Sequence, residues 1–326
     1  MLILAADIGG TNTRLALIEM TGGAARMVER ESAPSRAVSS LGERVRQFLA
    51  GKPVPARACF AVAGPVVDGT VHTTNLPWTI RTAELAGEIG IPDTVLINDF
   101  AAVGESLALL GPAELATLQA GQRDPTGPVA LIGAGTGLGQ GFLFHDGLRY
   151  RVLASEGGHA SFAARTPREW ALYTWLEQRL GPVSWESVLS GRGLAAVYQC
   201  LSGSETPEEP AAISARGLDG SDPAAVEALD LFAAAYGAQA GNLALTVLAT
   251  GGVYVAGGIA PRLIAKLSDG TFIRAFREKG ELEELLAQVP VQVIMSPDAG
   301  LLGAAAVAAR GSSQSLRGGE AAAAIS

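Results

Sequence analysis

The chain has 326 residues, 48% hydrophobic and 17% charged, enough apolar material for one large or two medium globular domains. Its net charge of −8, with no cluster of five or more Lys or Arg, excludes nucleic acid as the main partner. Its two cysteines, Cys59 and Cys200, lie far apart with no CxxC spacing, which argues for a reducing, cytoplasmic setting and against a structural zinc.

The opening, MLILAADIGG, has no basic region and reaches an Asp at position 7, so neither a signal peptide nor a membrane span is expected. Strands are predicted at 2–6 and 13–18. The gap of about six residues is too short for a parallel crossover and predicts an antiparallel hairpin, and with it mixed sheets. Ser40 and Glu43 form a capping box ahead of Val45, Phe48 and Leu49, which predicts a helix. Further short apolar runs predict strands at 58–63, 94–97, 129–132, 141–144, 253–256 and 291–294. Trp170, Tyr173, Leu176 and Leu180 recur at helical spacing, as do Leu229, Phe232, Tyr236, Leu243 and Val247. Residues 207–223, rich in Pro, Glu, Ser and Gly, read as a surface loop, and 311–326 as a flexible tail. Strands alternating with helices place the chain in the α/β class. An internal echo between the segments starting at Leu4 and Leu131, each strand, Gly-Thr turn, strand, suggests two related domains offering glycine turns to one ligand.

Six segments hold residue types suited to chemistry. Asp7-Ile-Gly-Gly-Thr-Asn-Thr-Arg14 offers backbone N–H groups at Gly9 and Gly10 and hydroxyls at Thr11 and Thr13. Asp7 ends a buried strand and is either a turn acceptor or a carboxylate facing Mg²⁺ through water. Gly133-Ala-Gly-Thr-Gly-Leu-Gly139 is a second such turn. Leu138 breaks the dinucleotide GxGxxG pattern, and no Walker Gly-Lys-Ser/Thr is present. Val95-Leu-Ile-Asn-Asp-Phe-Ala-Ala-Val103 runs a strand into Asn98 and Asp99, with Asp99 either a helix cap or a group at work. In Ser155-Glu-Gly-Gly-His-Ala-Ser161, two glycines let Glu156 and His159 face one polar ligand; alternatively His159 bonds the backbone. Glu186 reads as the first turn of a short helix, complementing its dipole. Val253-Tyr-Val-Ala-Gly-Gly-Ile-Ala260 ends a buried strand at Gly257 and Gly258, a surface for a flat ring or a plain turn. Between these, 64–78 reads as a turn and short hairpin in which Asn75 donates to a sugar hydroxyl or Trp78 packs the loop.

Together and in order, ADIGGTNTR, INDF, GAGTGLG, EGGH and VAGG resemble the motifs of bacterial glucokinases of the proteobacterial type, in the hexokinase–actin–Hsp70 superfamily. The likeness runs over about residues 2–310. The sister ROK family of sugar kinases and repressors is similar in part. It carries a cysteine-rich zinc motif after the sugar-binding His, and here Ala-Ser-Phe-Ala follows His159. Its repressors place a helix-turn-helix before the first phosphate motif, and here six residues precede Asp7.

The resemblance implies a two-domain, ribonuclease-H-like (actin-like ATPase) fold, with mixed sheets flanked by helices around a central cleft. Residues 1–108 plus 299–310 would form the small domain and 109–298 the large one. It implies a glycolytic, cytoplasmic, homodimeric enzyme using ATP and Mg²⁺ on glucose. Asp99 would be the catalytic base. Asn98, Asp99, Glu156, His159 and Glu186 would hold sugar hydroxyls, with Asn75 and Gly137 beside them. Gly9, Gly10, Thr11 and Asn12, then Gly135, Thr136 and Gly137, would flank the phosphates, with Gly257 and Gly258 near adenosine. Domain closure would exclude water. The competing readings are a kinase for another hexose, a sugar-responsive regulator that has lost catalysis, and an actin-like filament protein.

Overall fold

The computed structural model describes residues 1–10, 12–73 and 76–311. Thr11 and Asn75, both expected at the site, and the expected tail from 312 onward lie outside the described residues. The chain divides into two compact units, residues 1–111 with 296–326, and 112–295.

The first unit begins with β1 (Leu2–Ile8), β2 (Asn12–Thr21) and β3 (Ala24–Pro34). Next come α1 (Leu41–Leu49), β4 (Arg57–Val62), a small sheet of β5 (Val66–Val67), β6 (Thr70–His72) and β7 (Thr79–Arg81), then α2 (Thr82–Ile89), β8 (Thr94–Asn98) and α3 (Asp99–Ser106). The main sheet has the order β3-β2-β1-β4-β8. β1 runs antiparallel to β2, as the short gap predicts, and parallel to β4. β1 reads as a continuous apolar run because both its faces are covered. Leu4, Ala6 and Ile8 meet Val45 and Phe48 of α1, whereas Ile3 and Ala5 meet Ala102 of α3. The Ser40 Oγ accepts from Glu43 N–H, but the return arm of the capping box goes to Ser39 rather than Ser40, with its N–H and Oγ both donating to Glu43 Oε2.

The second unit holds β9 (Leu115–Gln119), β10 (Val129–Ala134), β11 (Leu138–His145) and β12 (Tyr150–Ser155). It continues with α4 (Pro167–Leu180), α5 (Gly191–Ser202), α6 (Pro210–Asp219) and α7 (Pro223–Val247). It closes with β13 (Gly252–Ala256), α8 (Ile264–Leu267), α9 (Thr271–Arg277), α10 (Glu283–Gln288) and β14 (Val291–Ile294). Its sheet, β12-β11-β10-β13-β14-β9, is again mixed, and the β10–β11 hairpin repeats β1–β2. α7 is the core helix, burying Leu229, Phe232 and Tyr236. The chain then returns to the first unit as α11 (Ala299–Arg310), whose Leu301, Ala304, Ala305 and Ala308 cover the β1 face shared with α3.

Two expectations need correcting. Residues 207–223 are not simply a loop: α6 occupies most of them, started by Pro210 at its first turn, stopped by left-handed Gly220, and anchored by fully buried Ile213. In α4 the buried apolar pair is Leu172 and Leu176, while Trp170 and Leu180 face solvent. Among the described residues no helix is long and apolar enough to cross a membrane.

Candidate active site

The first unit presents Asp7 at the end of β1, opposite Arg14 on β2. The guanidinium lies 3.8 Å from Asp7 Oδ2, beyond hydrogen-bond length, and donates instead to the Pro297 carbonyl at 2.8 Å. Desolvation holds the Asp7 carboxyl above the usual carboxylate range, and the Arg14 charge offsets this only in part. Among the described residues it is an under-partnered carboxylate, 27% exposed, and a hydrated cation suits it.

The turn beyond Asp7 is fastened from behind. Gly9 N–H donates to the Asn12 carbonyl at 3.0 Å. Ser35 Oγ donates to the Gly9 carbonyl at 2.7 Å and pairs with Thr13 Oγ1 at 3.0 Å. Thr13 and Ser35 are both buried. Thr13 is therefore a brace of the turn and not an outward hydroxyl donor, because strand alternation puts it on the buried face with Leu15 and Leu17. Ser35, which the sequence reading passed over, shares that work. Gly10 is half-buried and Asn12 exposed at the outer edge of the turn.

At the β8–α3 junction the capping role falls to Asn98. Its Oδ1 accepts from Phe100 and Ala101 N–H, both at 3.0 Å, and its Nδ2 donates to the Gly64 carbonyl at 3.2 Å. Asp99 is the first helical residue, with Oδ1 accepting from Phe100 N–H at 2.8 Å. The cap leaves Asn98 little beyond one amide hydrogen for any ligand. α3 is held by α11: a Cβ added at Gly303 would overlap the Ala102 carbonyl.

The second unit gathers three segments. Gly135-Thr136-Gly137 forms the β10–β11 turn, closed by Gly135 N–H to the Gly137 carbonyl at 2.8 Å. Gly191 N–H, at the start of α5, donates to the Gly135 carbonyl at 2.8 Å, and Thr136 is exposed. The 156–159 segment is one 3-10 turn, His159 N–H donating to the Glu156 carbonyl at 3.0 Å. In that geometry positions i and i+3 eclipse, which stacks Glu156 and His159 on one side. Both are exposed, and neither side chain bonds another described residue.

Glu186 joins the other two segments. It sits in a turn ahead of α5, not in a helix. Its Oε2 accepts from Leu138 N–H at 2.9 Å, its N–H donates to the Gly158 carbonyl at 2.9 Å, and Arg192 stands 3.9 Å from its Oε1. The carboxylate lies over Gly137, where any Cβ would overlap it. The expected dipole role is thus replaced by a bond to a residue far away in sequence.

After β13, Gly257 and Gly258 separate in role. Gly257 has φ +82° and packs on the Ala134 backbone, so its glycine serves the fold. Gly258 has open space where a side chain would be, so its backbone is approachable. Buried Gln140, on β11 beneath the 156–159 turn, was missed by the sequence reading. The available signal is a polar residue between Leu138 and Phe142 on one face of a strand.

Two mixed sheets, each with a glycine-turned hairpin, define the class: the actin-like ATPase fold, shared with the ROK-family glucokinase from Streptomyces griseus solved with glucose and AMPPNP. That structure has a TM-score of 0.66 and 24% identity, over 95% of this chain and 100% of that one.

Within that class, this chain belongs to the glucokinase family, whose model, Glucokinase, matches residues 4–311. A glucokinase from Nostoc sp. is 44% identical, covering 95% of this chain and 99% of the relative. The crystal structure of glucokinase from an Antarctic psychrotroph has a TM-score of 0.85 and 35% identity, over 95% of this chain and 99% of that one.

Proposed function

We propose that this chain transfers the γ-phosphoryl group of Mg²⁺-bound ATP to the 6-hydroxyl of glucose, giving glucose 6-phosphate and ADP. One observation carries the reading. Glu186 ties the second glycine turn to the Glu-Gly-Gly-His turn, so groups suited to a phosphate and groups suited to a sugar form one continuous surface. A filament protein has no use for that junction, and a sugar sensor has none for the phosphate turn.

In this reading Asp99 accepts the proton of the 6-hydroxyl as the O–P bond forms. Phe100 N–H on its Oδ1 steadies the carboxylate's rotamer. Catalysis is otherwise positioning and charge stabilisation. Glu156 and His159 offer an acceptor and a ring to the sugar hydroxyls, and Glu186 offers Oε1 while Oε2 stays on Leu138. Asn98 contributes its remaining amide hydrogen, and Asn75 is assigned a hydroxyl contact from its residue type in the 64–78 segment. A site with several hydrogen-bonding groups rejects a sugar lacking one hydroxyl, because a buried partner is then left unpaired.

The turns at 9–12 and 135–137 offer backbone N–H groups to the phosphates, and Gly258 offers an approachable backbone to the adenosine. Among the described residues no three His, Cys, Asp or Glu side chains converge as a metal cage. Mg²⁺, which neutralises phosphate charge when bound, fits as a companion of the nucleotide, with Asp7 meeting its water shell. The proposal extends to a homodimer in the cytoplasm, which light scattering and cell fractionation would check.

The test is sugar-dependent ADP formation across glucose, fructose, mannose and glucosamine. Turnover with glucose the preferred sugar is expected. Preference for another hexose moves the substrate, and sugar binding without ADP formation replaces the enzyme with a regulator.

A further inference from the structure

On β11, Leu138, Gln140 and Phe142 share one face. Leu138 and Phe142 join the large apolar core. Gln140 stands between them at 1% exposure, and among the described residues its Nε2 has no hydrogen-bond partner. Its Oε1 lies against Gly157: a Cβ placed on Gly157 would overlap Gln140 Oε1 and lie 3.1 Å from Ser155 Oγ. Ser155 is the cross-strand neighbour of Gln140, and its Oγ accepts Gly157 N–H at 3.0 Å. Two paired side chains therefore grip Gly157 between the strands and the 156–159 turn.

A methionine would fill the same volume without leaving a donor unpaired, and a buried unpaired donor costs stability. Gln140 thus burdens the fold at the point where it touches the sugar turn. We propose that Gln140 is a positioning residue of the sugar site: its carboxamide seats Gly157 and thereby sets Glu156 and His159. This rests on the reading of those two residues as sugar ligands. Gln140 acts through the Gly157 backbone and does not itself touch the sugar.

The test is Gln140→Met, read by thermal unfolding, by calorimetric glucose binding without nucleotide, and by steady-state kinetics. The melting temperature is expected to hold or rise. The dissociation constant for glucose is expected to rise about five- to tenfold, because the turn loses the contact that seats Gly157 and the hydrogen bonds of Glu156 and His159 to the sugar weaken. The KM for ATP is expected to stay within about twofold, because the phosphate turn keeps its own bond to Glu186. Wild-type glucose affinity in the folded variant overturns the proposal, as does a parallel loss of stability, sugar binding and ATP binding, which marks a structural residue.

A second arm compares Gly157→Ala with Gly157→Ala/Gln140→Ala. Partial recovery of glucose affinity in the double variant supports the contact, and additive losses overturn it. Because sugar binding is read without turnover, a wild type that binds glucose but makes no ADP sinks the kinase assignment and leaves this inference standing or falling on calorimetry alone. A wild type that binds no sugar overturns both.

Discussion

The contact between α11 and α3 makes a quantitative prediction about the helix that begins at Asp99. A Cβ at Gly303 would lie 2.6 Å from the Ala102 carbonyl carbon and 3.1 Å from Ser106 N. Carbon atoms pack at about 3.5–4.0 Å and the Ala102 carbonyl oxygen lies closer still, so Gly303→Ala must push the two helices apart by at least about 1 Å. Overpacking of that kind costs about 1–3 kcal/mol, or a few degrees of melting temperature in a chain of this size. The catalytic consequence is larger, because about 1 Å of misplacement at a reacting group lowers turnover by about 10²-fold. The assay is ADP-coupled turnover beside thermal unfolding, with Leu301→Ala as control. Leu301 is buried in the same cluster, and its truncation leaves a cavity costing about 2–5 kcal/mol without forcing α3 outward. Gly303→Ala should therefore lose much more kcat for the same loss of stability. Equal kcat at equal stability would refute the idea that α11 sets the position of Asp99.

Asp99→Asn should lower turnover at least ~10²-fold with glucose affinity within about tenfold of wild type, and near-normal turnover removes Asp99 from the base role. Asp7→Asn tests the raised carboxyl. A folded pKa above the unfolded value means the ionised form is penalised in the fold, so the penalty is present at neutral pH and fades as pH falls through the folded pKa toward the unfolded one. The nucleotide-free variant should melt higher than wild type at pH 7, with the gain shrinking toward pH 4, and should lose the stabilisation that Mg-ATP gives wild type. A lower melting point at pH 7 contradicts the desolvation argument. Gly137→Ala should displace the Glu186 carboxylate, raising the glucose dissociation constant and the KM for ATP together, which calorimetry and kinetics would show as a joint change.

The fold was legible where burial imposes a pattern. β1 from Leu2 to Ala6 and β4 from Ala58 to Val62 are apolar because both faces are covered, and the short gap before β2 leaves only a hairpin. α6 was missed because its composition is that of a loop and a single buried residue, Ile213, anchors it, too little for any periodicity. Its Pro at the first turn and Gly at the last were visible and outweighed by that composition. In the site, the glycine turns announce themselves because backbone approach needs several glycines within a few residues. Glu186 does not, since its partner Leu138 lies 48 residues away and nothing local records the pairing.

The Asn98–Asp99 pair shows the limit most clearly. Both residue types cap helices, so the order Asn-Asp leaves open which one is spent on the backbone. Only the start of α3 at Asp99 decides it: Asn98 takes the two orphan N–H groups of Phe100 and Ala101, and Asp99 falls one residue inside the helix. A negative charge there is favoured by the helix dipole without having to serve as the cap. Division of labour between adjacent residues is thus what holds a carboxylate at this junction, and it makes Asn98→Ala a change that should loosen Asp99 even though the carboxylate itself is untouched.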